Sequence, residues 1–254
     1  MKRFLPAAAV AGALFTLASH AAEVLVMTSG AFTEPLKELV PIFERQSGHK
    51  VVMAFGASMG GASNSIPSRL DRGEPADLVI LAGPALDGLV AKGQVVPGSR
   101  VDLVRSSIGM VVRAGAPKPD IGTVEALKRT LVEAKSIAYS ASASGTYLST
   151  ELFPKLGVWD EIKGKSQRIV SERVGAVVAR GDAQVGFQQV SELITIPGID
   201  YVGPLPEGAQ RVSHFSAGIG ARAKEPEAAR ELVRFLASDA AVPVIRKNGL
   251  EPAR

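Results

Sequence analysis

The 254-residue chain contains no cysteine, so no disulfide can hold it together and its stability has to come from a buried apolar core. Aromatic residues make up only 5%, too few for the stacking platforms on which single-stranded nucleic acid is read. There are three histidines, and His49 and His214 show no metal-binding spacing with Asp or Glu, which argues against a metal site. The formal net charge of +4 comes without any basic tract, so nucleic acid is not an expected partner. Beyond the N-terminal segment no stretch offers about 18 uninterrupted apolar residues, and membrane insertion is not expected. The chain also lacks internal repeats and low-complexity linkers.

The N-terminal segment itself is apolar from Phe4 to Ala18, behind Lys2 and Arg3 and ahead of Ser19-His20-Ala21. A positive start, a short alanine-rich centre and small residues at the inspected positions spell a secretory signal over residues 1–21, cleaved after Ala21. The mature protein is therefore expected in the periplasm. Its length suffices for one large or two small domains.

Strand and helix patterns alternate along the mature chain. Glu23–Met27 reads as a strand, and Leu36, Leu39, Val40 and Phe43 follow at helical spacing, with Thr33 as the expected N-cap and Gly48 as the stop. A strand over Val51–Phe55, a short helix with Pro67 in its first turn and a strand over Asp77–Leu81 complete a β-α-β-α-β series, the pattern of a parallel sheet covered on both faces. A second series has a helix from Thr123, a strand over Ser136–Tyr139, helices carrying Tyr147, Leu148, Leu152 and Leu156 and then Glu172 to Arg180, and a strand over Gln184–Phe187. Extended apolar runs at Arg105–Arg113 and His214–Ile219 separate the two series, and helices on Leu232 and on Ala240–Lys247 close the chain. The expected fold is α/β with two lobes on a two-strand hinge: residues 22–105 plus 215–254 in lobe 1, and 106–214 in lobe 2. Asp77 is expected to fix a strand-end turn, and Trp159 to lie in the core.

Gly56-Ala57-Ser58-Met59-Gly60 matches the G-x-S-x-G of a hydrolase nucleophile elbow. An elbow feeds its helix at once, whereas here Gly61-Ala62-Ser63-Asn64-Ser65 intervenes before Pro67. The pattern fits better as an anion-binding loop, in which glycines let backbone N–H groups approach and serines add hydroxyl donors. Thr28-Ser29-Gly30-Ala31 and Ser142-Ala143-Ser144-Gly145-Thr146 are two more such loops at strand-to-helix junctions. Ligands of open α/β sheets bind at these carboxyl ends of strands.

Arg72-Gly73-Glu74-Pro75-Ala76-Asp77-Leu78-Val79-Ile80 is similar to a segment of periplasmic solute-binding proteins of the type II fold, and most closely of their molybdate-binding branch. Leu156-Gly157-Val158-Trp159-Asp160, Ala179-Arg180-Gly181-Asp182-Ala183-Gln184-Val185-Gly186 and Arg246-Lys247-Asn248-Gly249-Leu250 support the resemblance in the same order along the chain. It implies a cleft between lobes that captures a small anion, an oxyanion or a polycarboxylate, for an ABC-type permease of the inner membrane. The branch's ligand positions fall on Ser58, Ser144, Ser171 and Gln189, the last replacing a tyrosine. Ala31 stands where the branch has a serine, leaving Ser29 as substitute. Gly30 and Gly145 complete the loops. Arg173, with Arg168 as a weaker candidate, would add the guanidinium fork that suits planar carboxylates. Aconitate isomerase resembles the same branch, so the alternative is interconversion of cis- and trans-aconitate in this cleft without a cofactor. Tyr147, His214 and Glu172 are the candidate bases for that reaction.

Overall fold

The computed structural model describes residues 21–59 and 61–253; apart from Ala21, the expected secretory signal lies outside them. The chain opens with β1 (Glu23–Thr28), α1 (Gly30–Ser47), β2 (Lys50–Phe55), α2 (Ile66–Asp71), β3 (Leu78–Ala82), α3 (Gly83–Ala91) and β4 (Val101–Ser106). The stripe Leu36, Leu39, Val40 and Phe43 of α1 is buried, and the helix stops where Gly48 takes φ 78°, a left-handed conformation that glycine adopts without strain. The start of α1 differs from expectation. Ser29, not Thr33, is the N-cap, because the Ser29 N–H bonds Ile80 O of β3 (2.8 Å) and fixes the chain's entry there. Thr33 lies one turn inside and donates its hydroxyl to Ser29 O.

The middle of the chain forms β5 (Ile108–Arg113), α4 (Val124–Glu133), β6 (Ile137–Ser140), α5 (Ala143–Tyr147), α6 (Phe153–Lys155), α7 (Trp159–Ile162), β7 (Ser166–Ile169), α8 (Val174–Arg180), β8 (Val185–Gln189), α9 (Val190–Leu193) and β9 (Ile199–Pro204). A π-helical segment, Leu148–Leu152, joins α5 to α6. The chain then returns through β10 (Ser213–Ile219), α10 (Pro226–Leu236), α11 (Val242–Lys247) and β11 (Glu251–Pro252).

The described strands make two sheets, in the orders β11-β4-β10-β3-β1-β2 and β7-β6-β8-β5-β9. β1, β2 and β3 pair in parallel, as the β-α-β-α-β pattern requires, but both sheets are mixed because a strand that crosses between lobes enters each one antiparallel: β10 beside β3, β5 beside β8. Each sheet is covered on both faces. In the first, α1, α10 and α11 pack on one side and α2 and α3 on the other. In the second, α4 to α7 face α8 and α9. Trp159 is half-buried and stacks on Phe153, 6.2 Å between ring centres.

The change of sheet comes at Ser107 on the way out and between Pro204 and Ser213 on the way back. Gln210 ties the two crossings together: its amide nitrogen donates to Ile108 O and its amide oxygen accepts from Ile108 N, each at 2.9 Å. Asp77 does more than shape a turn. Its buried carboxylate accepts from the N–H groups of Leu25, Lys224 and Glu225 at 2.6–3.0 Å, so one side chain joins β1, the start of β3 and the entry to α10. Among the described residues no helix is long and apolar enough to cross a membrane.

Candidate functional site

The three Ser/Gly loops meet at a cleft of about 310 Å³ between the two sheets, together with the loop before α8 and the end of β8. From the first sheet come Ser29 and Gly30 at the start of α1 and Ser58 after β2. Ser29 is buried and its Oγ has no hydrogen-bond partner. The Ser58 Oγ accepts from Ala82 N at 3.0 Å, which pins its loop to the end of β3. That bond occupies a lone pair and leaves the hydroxyl proton free to donate into the cleft. Among the described residues no histidine lines the cleft, and α2 begins only at Ile66, so the nucleophile-elbow pattern has neither a histidine base there nor an immediate helix.

From the second sheet come Ser144, Ser171, Arg173 and Gln189. Ser144 is buried and Ser171 exposed at the rim. The buried amide of Gln189 makes one long contact, 3.5 Å from Nε2 to Ser213 Oγ, and its oxygen has no partner. Turning that amide over would let Ser213 donate to the oxygen. Arg173 bridges the lobes: Nη2 donates to Glu34 of α1 at 2.8 Å, and Nη1 reaches Thr195 Oγ1 at 3.3 Å. Arg168 is exposed, does not line the cleft and donates to Ala141 O.

Four residues expected in the site sit otherwise. Gly145 does not line the cleft; it packs on the Ser140 carbonyl so closely that a Cβ would lie 1.6 Å from that oxygen. Tyr147 ends α5 facing the core of the second lobe, donates its hydroxyl to Ala209 O (3.1 Å) and lies under the Arg211 guanidinium. Burial pushes its phenol up, away from the range of a useful base. His214 is exposed on β10, on the opposite face of the pleat from Phe215, which does line the cleft. Glu172 is at the rim, but Arg180 holds both its oxygens at 2.7 and 3.0 Å, and those hydrogen bonds keep its carboxyl below the usual range.

A second acid lines the cleft beside Glu172: Glu192, on α9. Its Oε1 accepts from Gln188 Nε2 at 2.8 Å. The Gln188 oxygen in turn accepts from Val174 N at 2.9 Å, which fixes the amide so that its NH₂ faces Glu192. Across the cleft the carboxyl rests on Gly30, where a Cβ would stand 1.9 Å from Oε1. Part of the side chain opens into the cleft, but protein from both lobes surrounds the carboxyl group. Burial pushes its pKa from 4.5 to about 7, against the opposing pull of the Arg173 charge and the Gln188 hydrogen bond. Nothing in Val190-Ser191-Glu192-Leu193 announces this, because a four-residue helix has no periodic stripe from which to read an inward face.

The raised value makes a prediction for the ligand-free protein. Folded protein binds the Glu192 proton more tightly than unfolded protein, so this stabilising contribution is complete below about pH 4.5 and is lost as the pH rises through about 7. Carboxylates held low by ion pairs, such as Glu34, Glu172 and Asp102, titrate below that window. Melting temperatures recorded across pH 4.5–7.5 should therefore fall, and Glu192→Gln should flatten the decline. An unchanged slope in the variant would assign the effect to another group.

A family model described as bacterial extracellular solute-binding protein matches residues 24–251. An aconitate isomerase from a Pseudomonas species is 49% identical over 227 residues, 89% of this chain and 87% of that protein. A molybdate-binding protein of Azotobacter vinelandii is 30% identical over 253 residues, 95% of this chain and 94% of that protein. Among solved structures, the periplasmic molybdate-binding protein of Azotobacter vinelandii is similar with a TM-score of 0.71 at 22% identity, covering 89% of this chain and 98% of that one.

Proposed function

This chain belongs to the family of bacterial extracellular solute-binding proteins, and from that premise we propose that it is an enzyme on the binding-protein scaffold, an isomerase that interconverts cis- and trans-aconitate. The observation that carries the reading is Glu192: a cleft floored by a carboxyl group that titrates near neutrality has more than capture requires. The Pseudomonas relative named as an aconitate isomerase points the same way.

The reaction moves one proton and no electrons, so it balances without a co-reactant. Ionised Glu192 takes a proton from the methylene carbon of aconitate, which lies between a carboxylate and the double bond. The C–H pair spreads over the three-carbon allylic unit and out to the terminal carboxylates. The same proton returns to the carbon that was vinylic, so one C–H bond breaks, another forms and the double bond shifts by one position. A group with a pKa near the working pH serves both halves, since it is neither too weak to take the proton nor too weak an acid to return it. Ser29, Ser58, Ser144, Ser171 and Gln189 then donate to the carboxylates, where negative charge grows in the transition state, and fixed donors aimed at such charge lower the barrier. Tyr147 and His214 take no part, and Glu172 is committed to Arg180. On the same reading the protein works in the periplasm, freed of its first 21 residues.

The test is incubation of the purified mature protein with trans-aconitate, followed by proton NMR for cis-aconitate. Conversion is expected. Tight binding without conversion would overturn the enzyme reading and leave a receptor that passes a polycarboxylate to a membrane permease.

A further inference from the structure

Lys37 and Arg173 both line the cleft, one from each lobe, and both donate to the Glu34 carboxylate, Arg173 to Oε1 and Lys37 to Oε1 and, at 3.4 Å, to Oε2. Glu34 Oε1 lies 3.2 Å from Lys37 Nζ and 2.8 Å from Arg173 Nη2. The carboxylate itself does not line the cleft; it backs the two cations from behind. Burial raises the Glu34 carboxyl, but hydrogen bonds from Arg173 and Lys37 outweigh it and keep it ionised. Each cation has a further support. The Lys37 ammonium stands 5.4 Å from the centre of the Phe55 ring, which explains an aromatic left 44% exposed at the cleft mouth. Thr195 Oγ1 accepts from the Arg173 guanidinium.

Glu34 neutralises one of the two cations and leaves one positive charge at this pair, which Glu192 in the same cleft offsets when it is ionised. The nitrogens of the two cations are no farther apart than the sum of their distances to the shared oxygen. A planar carboxylate spans such a gap, one oxygen to each nitrogen, through charge-assisted bonds of about 2.7–2.9 Å. We propose that Lys37 and Arg173 form a subsite for one further carboxylate of the ligand, bridging the lobes, and that this pair makes the cleft select tricarboxylates over dicarboxylates. Glu34 is the positioning residue that sets their spacing. The proposal rests on the polycarboxylate reading above and adds the residues that count the ligand's charges.

Tricarballylate, a saturated tricarboxylate that cannot isomerise, separates binding from turnover, and glutarate is the same carbon chain without the central carboxylate. Calorimetric titration of the mature protein should show tricarballylate binding at least about tenfold more tightly than glutarate, the size expected for hydrogen bonds to charged groups. Lys37→Met should weaken tricarballylate by roughly tenfold and glutarate by no more than about twofold, while Lys37→Arg retains the preference. Equal affinities in the parent protein, or a Lys37→Met variant that weakens both ligands alike or neither, would overturn the subsite. The outcomes stand apart from the isomerase test: Lys37-dependent selection without aconitate conversion leaves the subsite and removes the enzyme, and conversion with selection untouched by Lys37→Met does the reverse.

Discussion

Replacing Glu192 with glutamine should slow aconitate interconversion by about 10²- to 10⁴-fold, the usual contribution of a positioned acid–base group, while tricarballylate affinity stays within a few-fold of the parent. Glutamine has nearly the shape of glutamate, and its amide oxygen can still accept from Gln188 Nε2, which the Val174 N–H holds in place. What the substitution removes is the capacity to accept and return a proton. The split between rate and affinity is the discriminating result. A variant that turns over at the parental rate would remove Glu192 from the chemistry, whereas one that loses affinity and rate together would make the carboxyl part of the binding surface. Single-turnover rates measured beside calorimetric titrations give both numbers.

Gly145→Ala should destabilise the protein by about 3 kcal/mol or more, at the upper end of overpacking costs, which for a chain of this size lowers the melting temperature by roughly 6–12 °C. The added Cβ would lie 1.6 Å from Ser140 O and 2.6 Å from Ser140 C. Both are backbone atoms at the end of β6, a central strand paired on one side with β7 and on the other with β8, so neither can yield without breaking the sheet's edge of the cleft. Gly30 makes a contrast. Its Cβ would strike the movable end of the Glu192 side chain, so substitution there would be felt in proton transfer before it was felt in folding. A Gly145→Ala melting curve that matches the parent would show that α5 can shift away from β6 at little cost.

Residues whose partners are close along the chain gave away their roles in the sequence. The α1 stripe, the Gly48 stop and the three Ser/Gly loops all follow from local pattern, and the loops do converge on one cleft. Residues whose meaning depends on a distant element did not. Glu34 and Lys37 stand three apart on a helix, which in sequence reads as an ordinary surface ion pair; only the fold brings Arg173, 139 positions away, to the same oxygen. Glu192 reads as one more surface acid until Gly30 of the other lobe closes over it. Tyr147 fails for a related reason. It is adjacent to the third loop in sequence, but the turn of α5 points its ring into the second lobe's core and away from the ligand space.

β10 enters the first sheet between β3 and β4, and this has a consequence for how the protein is made. Once the chain has emerged from the export channel as far as residue 204, every strand of the second sheet is present and that sheet can be completed. The first lobe has by then lacked its central strand since the chain left it at Ser106, because β3 and β4 share no partner until residues 213–219 arrive. The lobe that starts first therefore finishes last, against the usual N-to-C order of domain folding. A chain cut short after β9 loses the middle of a sheet, together with α10, the helix whose entry Asp77 anchors.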